Sequence, residues 1–359
     1  MLICFFARKE VSNSNAVIDK FLFLCYTLVT EIQKKEYGLM TALKLKPAFK
    51  DYIWGGTRLR DDFGKDCPFD KVAESWELSC HKDGSSVISG GKYDGLTLCE
   101  YIEQNGKNVL GLNCSRFSDF PILIKLIDAK DNLSIQVHPD NEYALEAEGE
   151  YGKTEMWYVV DADEGAELIY GFKDKISKEE FKERIENNTL LEALNSVHVR
   201  KGDVFFINSG TLHAIGKGIL IAEIQQNSNT TYRVYDYGRV GADGKPRELH
   251  ISKALDVTDI STSMPTKASS YERLDGYSKQ FLASCDYFTV FKLDIETHAQ
   301  MCADNTSFNS LLILEGSGTI DCGSGDSLDF VKGDSIFVPA GLKDYTVNGK
   351  CKLILTKID

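Results

Sequence analysis

The chain has 359 residues, and 43% of them are hydrophobic, which is enough for about two packed domains. Its 54 acidic residues outnumber 41 lysines and arginines, and the net charge of −13 argues against nucleic acid or an anionic membrane as a partner. The ten cysteines are irregularly spaced and include no Cys-x-x-Cys pair. We therefore expect reduced thiols and a cytoplasmic location.

The first 39 residues differ in character from the rest of the chain. Phe21–Val29 is a nine-residue apolar run, shorter than the roughly 20 residues that a transmembrane helix needs. No small-residue cleavage site of the signal-peptide kind accompanies it. We expect residues 1–39 to be an N-terminal extension and Met40 to be the natural start.

From Leu43 onward the pattern is typical of short strands separated by glycine turns. Leu96–Gln104 predicts a short helix. Phe120–Ala129 is rich in β-forming residues, and Lys130–Asn132 has the character of a turn. We expect this turn to fold the strand back as a hairpin with the segment that follows.

A helical segment is predicted within this β-rich chain. Ser177 followed by Glu180 is typical of a capping box at the start of a helix. Thr189 is placed to cap a second helix. The pattern indicates a small helical insertion at about residues 176–195.

The segment Leu133–Asp140 alternates between apolar and polar side chains. Its polar members are Ser134, Gln136 and His138. Because successive side chains of a strand point to opposite faces, this period of two predicts a half-buried strand with its polar residues together. A lone histidine in such a strand is more often structural than a metal ligand, so the neighbouring segments must decide.

Two later segments supply further metal-binding groups. In Lys153–Val160 the same period places Lys153 and Glu155 on one face, and His213 follows a third predicted strand and a glycine turn. With Gln136 and His138, these segments offer an amide oxygen, two imidazoles and a carboxylate. Such mixed donors suit a divalent ion, zinc first, with iron, manganese or cobalt as alternatives.

An internal repeat indicates duplicated β domains. Lys201–His213 aligns without a gap with Lys332–Asp344. Both copies resemble the second cupin signature, in which a glycine, a proline, a second glycine and a histidine have fixed spacing. Asn208 replaces the proline in the first copy, and Asp344 replaces the histidine in the second.

Several motifs together resemble the type I mannose-6-phosphate isomerases of the cupin superfamily, and their short bacterial branch most closely. The motifs are Gln136-x-His138-Pro139, Lys153-x-Glu155-Met156, Leu212-His213-Ala214, and Glu223 with Arg233. The resemblance extends from about Leu43 to the C terminus. It implies a mainly β fold of two cupin (jelly-roll) β-barrels with a small helical insertion. A catalytic metal-binding domain would span residues 40–265, and a barrel without metal ligands would span residues 266–359.

The resemblance also implies an enzyme that interconverts mannose 6-phosphate and fructose 6-phosphate through an enediol, with one zinc ion per chain. The implied metal ligands are Gln136, His138, Glu155 and His213. The implied contacts to the substrate phosphate are Ser134 and Lys153, and the implied catalytic residues are Lys153, Glu223 and Arg233. Asn229 stands where many relatives have aspartate. The partner would be a small sugar phosphate, with no nucleic acid or membrane, and the protein a monomer or homodimer.

Two other functions remain open at this stage. A non-catalytic sugar-binding cupin would keep the fold but lose Lys153 or Arg233, and this chain has both. An iron-dependent cupin oxygenase would have a His-x-His motif, and Gln136 at the first position argues against it.

Overall fold

The computed structural model describes residues 40–240, 244–262, 269–323 and 327–359. The predicted N-terminal extension, residues 1–39, lies outside the described residues. Residues Thr41–Asp359 form one compact unit. Within the described residues, no helix is long and apolar enough to cross a membrane.

Short helices punctuate a structure made mainly of strands. The helices are α1 (Arg58–Asp61), α2 (Leu98–Asn105), α3 (Asn141–Ala147), α4 (Lys178–Glu186), α5 (Leu190–Ala193) and α6 (Ile251–Val257), with 3-10 turns at Gly91–Tyr93, Lys107–Leu110 and Leu112–Arg116. The first strands are β1 (Leu43–Lys46), β2 (Ala48–Lys50), β3 (Glu74–Leu78), β4 (Cys80–His81), β5 (Gly84–Ser85), β6 (Val87–Ser89), β7 (Ile122–Ala129), β8 (Ile135–Val137), β9 (Glu155–Ala162), β10 (Glu167–Phe172), β11 (Leu194–His198), β12 (Val204–Ile207), β13 (His213–Ala214), β14 (Ile219–Gln226) and β15 (Tyr232–Tyr235). The later strands are β16 (Tyr271–Leu274), β17 (Tyr277–Ser284), β18 (Thr289–Ile295), β19 (His298–Ala303), β20 (Asn309–Asp321), β21 (Ser327–Val331), β22 (Ser335–Val338) and β23 (Lys343–Lys357). The predicted mainly β class is confirmed.

The strands of the described residues form antiparallel sheets. A six-stranded sheet has the order β12-β9-β14-β7-β3-β2, and a five-stranded sheet has the order β11-β10-β13-β8-β15. A ten-stranded sheet contains β1, β6 and the strands from β16 to β23, and β4 pairs with β5. The predicted hairpin between β7 and β8 is wrong, because β7 pairs with β3 and β14 and has no free edge for β8. The turn at Lys130–Asn132 instead carries the chain from one sheet to another.

The six-stranded and five-stranded sheets share an apolar core. Trp157 and Ile221 of the first pack in one cluster with Leu168 and Tyr170 of the second. The other face of the six-stranded sheet packs with residues of the C-terminal half, among them Phe288. Each of these strands therefore has one face toward the space between the two sheets, where the candidate site lies.

The predicted helical insertion is present as α4 and α5. Ser177 caps α4 because its side chain accepts a hydrogen bond from the Glu180 amide, but the reciprocal half of the predicted capping box is not formed, since the Glu180 side chain accepts from Arg184 instead. The predicted cap at Thr189 is wrong, since its side chain makes no capping hydrogen bond to α5. Phe181 and Leu190 of these helices join a cluster with Ile135 of β8, so the insertion covers the outer face of the five-stranded sheet.

The sequence repeat corresponds to a structural repeat. Strand β12 in the first copy and β22 in the second begin two residues after glycines with φ of 96° and 93°, Gly202 and Gly333. Ile207 of β12 is paired with Glu155, and the equivalent Val338 of β22 is paired with Asn309. Asn309 is thus the counterpart of Glu155. A domain boundary near residue 265 stays a prediction, because residues 263–268 lie outside the described residues.

Candidate active site

The six-stranded sheet presents a row of charged and aromatic side chains to the space between the sheets. Lys125 of β7 is paired with Glu223 of β14, which is paired with Trp157 of β9. Lys125 Nζ lies 3.2 Å from Glu223 Oε1, and Trp157 Nε1 donates a hydrogen bond of 2.9 Å to Glu223 Oε2. Lys125 Nζ also lies 3.5 Å from Glu74. Because a buried carboxylate is costly without compensation, these partners hold Glu223 charged and oriented.

The five-stranded sheet contributes a second row. Gln136 of β8 is paired with His213 of β13 on one side and with Arg233 of β15 on the other. The side-chain nitrogen of Gln136 lies 3.5 Å from His213 Nε2. The sheet register therefore places Gln136, His213 and Arg233 side by side, although Gln136 and Arg233 are 97 positions apart in the sequence.

His138, Glu155 and His213 form a buried cluster at the meeting point of the two sheets. Their ligand atoms all lie within 4.8 Å of one another. His138 Nε2 is 3.6 Å from one Glu155 oxygen, and His213 Nε2 is 3.4 Å from the other. Apart from an ion pair of 2.8 Å between Lys153 Nζ and Oε2, neither oxygen of Glu155 has a hydrogen-bond partner among the described residues. Two imidazoles and an incompletely satisfied carboxylate fit a divalent cation.

The backbone fixes the tautomer of both histidines. His138 Nδ1 lies 2.9 Å from the Thr230 carbonyl oxygen, and His213 Nδ1 lies 2.8 Å from that of Thr211. Because a carbonyl only accepts, both Nδ1 atoms carry the proton and both Nε2 atoms keep a lone pair. Burial lowers the pKa of His213 to about 4 and that of His138 well below its ordinary value. The rings are therefore neutral, as metal ligands must be.

The two buried carboxylates have pKa values shifted in opposite directions. Burial raises the pKa of Glu155, and the charge of Glu223 adds to this effect. For Glu223, burial is outweighed by Lys153 and Lys125, so its pKa is lowered. Paired groups with divergent pKa values are typical of sites that move protons.

A cavity of about 260 Å³ is lined by Lys153 and Gln136, which contact this cluster. Of the residues predicted from the sequence, those that line it are Ser134, Gln136, Lys153, Glu223 and Arg233. Asn229 also lines the cavity, and its Nδ2 donates to Asp83 at 2.9 Å. His138, Glu155 and His213 are buried beside this lining. The structure thus brings together all the predicted site residues.

The sequence interpretation missed two cations that line the cavity, Lys125 and Arg247. The sequence could have indicated Lys125, because a lysine inside the apolar run Ile122–Ala129 is expected to be buried and to need a buried partner of opposite charge. Arg247 had no such signal, because it lies outside the helices and strands and its role depends on packing. With Lys153 and Arg233, these residues make the cavity basic despite the acidic chain, as an anionic ligand requires.

Arg233 and Arg247 are held in different ways. Arg233 Nη1 donates to the Glu248 carbonyl oxygen at 2.9 Å, while its buried Nε has no hydrogen-bond partner in the part of the chain that the structure describes. Arg247 makes a bidentate pair with Asp236, with distances of 2.7 and 2.5 Å. Asp236 also accepts from Arg239, and these contacts outweigh burial and lower its pKa. Arg233 is therefore fixed in position yet retains donor capacity.

Fold and site together define a cupin protein with a buried candidate metal-binding cluster beside a cavity lined by cationic side chains. The family model for the catalytic domain of type I phosphomannose isomerase matches residues 42–175, and that for the cupin domain of mannose-6-phosphate isomerase matches residues 277–358. The chain belongs to the type I phosphomannose isomerase family.

Individual relatives extend this match over most of the chain. It is 43% identical over 303 residues to the mannose-6-phosphate isomerase of Streptococcus mutans, covering 84% of this chain and 93% of that protein. It is 40% identical over 317 residues to the mannose-6-phosphate isomerase ManA of Bacillus subtilis, covering 88% of this chain and 98% of that protein. The crystal structure of mannose 6-phosphate isomerase from Bacillus subtilis superposes with a TM-score of 0.82 at 40% identity, covering 88% of this chain and 99% of that chain.

Proposed function

We propose that this chain interconverts mannose 6-phosphate and fructose 6-phosphate with one zinc ion held by Gln136, His138, Glu155 and His213. The observation that carries the proposal is the buried His-Glu-His cluster beside a cavity lined by four cations. Relatives at about 40% identity that bear this activity in their names support it. The cytoplasmic location and the monomeric or homodimeric state stay predictions from the sequence.

The reaction moves a proton between C1 and C2 of the sugar through an enediol. When bound, a divalent ion would polarise the carbonyl and hydroxyl oxygens of these two carbons. The protein must therefore supply a group that moves the proton and a cation that meets the negative charge of the enediolate.

Glu223 and Arg233 suit these two needs. Glu223 lines the cavity as a carboxylate that Lys125 and Trp157 orient, which qualifies it as a base or as the group that positions one. Arg233 lines the same cavity from the opposite sheet with a fixed guanidinium. A preorganised cation of this kind stabilises charge that appears only in the transition state.

Lys153 was assigned both a catalytic and a phosphate-binding role, and its position favours the first. Its Nζ lies 2.8 Å from Glu155, 3.2 Å from His138 Nε2 and 3.8 Å from Glu223. An ammonium so close to the metal ligands would face the reacting carbons, whereas the phosphate lies at the other end of the substrate. Ser134, which lines the cavity, remains the proposed phosphate contact.

The direct test is to add mannose 6-phosphate to the purified chain and to follow fructose 6-phosphate. We expect isomerisation by zinc-loaded protein, loss after a chelator removes the metal, and recovery when zinc is restored. The variant His198→Ala is the matched control, because His198 is exposed and pairs with Glu167 away from the cavity. Absence of isomerisation in zinc-loaded protein, or full activity in protein shown by elemental analysis to be metal-free, would contradict the proposal.

A further inference from the structure

A second cavity, of about 460 Å³, shares no lining residue with the candidate active site. Three cysteines line it, Cys80, Cys99 and Cys114. Cys80 and Cys99 are partly accessible, whereas Cys114 is buried. The cavity therefore gives small solutes a route to two thiols that play no part in the proposed isomerisation.

The fold places Cys80 and Cys99 against each other. Cys80 is paired with Ser85 in the hairpin of β4 and β5, so both side chains lie on the same face of the hairpin. Cys99 is in the first turn of α2, and its Sγ lies 3.4 Å from the Cys80 carbonyl oxygen.

Backbone contacts hold this arrangement in place. The Leu98 amide at the start of α2 donates to the Ser86 carbonyl oxygen at 2.8 Å. Thr97 and Glu100 form a capping box that fixes the first turn of the helix. The proximity of the thiols is thus built into the junction between helix and hairpin rather than left to mobile side chains.

The environments of these thiols suit complementary roles. The neighbouring Cys80 thiol, helped by Ser85 and opposed by burial, lowers the pKa of Cys99 to about 7. Burial raises the pKa of Cys80. A thiolate therefore forms more readily at Cys99 than at an ordinary cysteine, and the Cys80 thiol beside it stays protonated, as in pairs of reactive and resolving cysteines. Cys114, in the same cavity, has its pKa raised by burial to about 12 and is suited to neither role.

We propose that Cys80 and Cys99 are a modification site, a dithiol that a peroxide converts reversibly to a disulfide. The Cys99 thiolate attacks the peroxide, so that a sulfur–oxygen bond forms, the oxygen–oxygen bond breaks and the first water leaves once protonated. Cys80 sulfur then attacks the sulfenic acid at Cys99, and the sulfur–sulfur bond replaces the sulfur–oxygen bond as the second water leaves. The two thiols lose two electrons and two protons, and hydrogen peroxide is reduced to two waters.

The test uses the full chain, treated with hydrogen peroxide in the native state and then with an alkylating agent. We expect digestion without reductant to yield a peptide with Cys80 linked to Cys99, and dithiothreitol to restore both thiols. The rate of oxidation should rise with pH to half its maximum near pH 7. In Cys80→Ser the same treatment should leave Cys99 as sulfenic or sulfinic acid, because no resolving thiol is present.

Two variants serve as controls. Cys114→Ser removes the third thiol of the cavity, and Cys302→Ser removes an exposed thiol elsewhere, so the link should form in both. The proposal is overturned if native protein gives no Cys80–Cys99 link, or if Cys99 links to another cysteine. It is equally overturned if Cys99 reacts with peroxide no faster than Cys302.

Discussion

Lys125 and Glu223 face each other on neighbouring strands, with Nζ and Oε1 3.2 Å apart and both side chains at most 4% exposed. Lys125 also lies 3.5 Å from Glu74, so one ammonium compensates two carboxylates whose side chains are at most 10% exposed. Burial alone would lower the pKa of Lys125, but these carboxylates raise it above its ordinary value. The charge of Glu223 in the candidate site therefore depends on a lysine that the sequence motifs do not include.

The first prediction concerns this pair. Lys125→Met should destabilise the protein by about 3–5 kcal/mol, because it leaves buried carboxylates without their partner. Urea unfolding monitored by fluorescence measures the change. Lys50→Met is the control, since Lys50 Nζ and Lys125 Nζ both lie over the Trp76 ring, at 4.4 and 5.2 Å from its centroid, whereas Lys125 in addition pairs with Glu223. Equal stability of the two variants would show that Lys125 does not neutralise Glu223.

The second prediction concerns metal retention. His213→Ala should lose the bound ion, because it removes one donor from a cluster that is otherwise prearranged. The wild-type chain has one such cluster of donors, so elemental analysis after dialysis should give about one ion per chain. The variant should give none. Asp344→Ala is the matched control at the equivalent position of the second repeat, and it should keep its ion. Two tightly held ions per wild-type chain would contradict the assignment of a single site.

The third prediction separates binding from chemistry at Arg233. Arg233→Ala should lower kcat by about a hundredfold with a smaller change in KM, because a fixed cation acts mainly on charge in the transition state. Arg239 donates to Asp236 and does not line the cavity. Arg239→Ala should therefore change kcat much less. Steady-state kinetics on both variants decides the role. An Arg233 variant impaired only in KM would assign that residue to substrate binding.

The fourth prediction applies to Lys153. If it acts at the reacting carbons, Lys153→Met should lower kcat more than it raises KM, with the ion retained because the ligands are intact. The same kinetic measurement with elemental analysis provides the readout. Ser134→Ala, the proposed phosphate contact, should show the reverse pattern, a raised KM with kcat nearly unchanged. A Lys153 variant in which only KM is raised would instead assign Lys153 to binding the substrate phosphate.

The fifth prediction is a pH dependence at the contact between Lys201 of the first repeat copy and strands β20 and β23. Lys201 and Lys352 hydrogen bond to Glu315 and lower its pKa from 4.5 to about 2. Because the folded pKa is the lower one, this stabilisation is present above about pH 4.5 and is lost as the pH falls to about 2. Glu315→Gln should therefore cost about 1 kcal/mol or less at pH 7, since the groups are partly exposed, and progressively less toward pH 2.

Urea unfolding of wild type and Glu315→Gln at pH 7 and pH 3 measures that difference. Glu296→Gln, whose partner Lys350 is 3.7 Å away with both side chains well exposed, is the control. If the difference in unfolding free energy between wild type and Glu315→Gln were larger at pH 3 than at pH 7, the prediction would be wrong.

The sequence by itself determined which residues share a strand face. A period of two placed Ser134 with Gln136 and Lys153 with Glu155, and in the structure Ser134, Gln136 and Lys153 line one cavity with Glu155 beside it. The gapless repeat likewise located β12 and β22 and identified the replacement of His213 by Asp344. These features follow from local backbone geometry, which fixes side-chain direction within a strand.

Only the tertiary structure decided what those faces meet. The strand around Gln136 was predicted to be half-buried, but Ser134 and His138 are almost fully buried because a second sheet lies over them. The pairing of β7 with β14, which sets Lys125 against Glu223, joins segments far apart in the chain. Local periodicity carries no information about which distant strand will occupy an edge or cover a face, because that choice is made by the packing of the whole core.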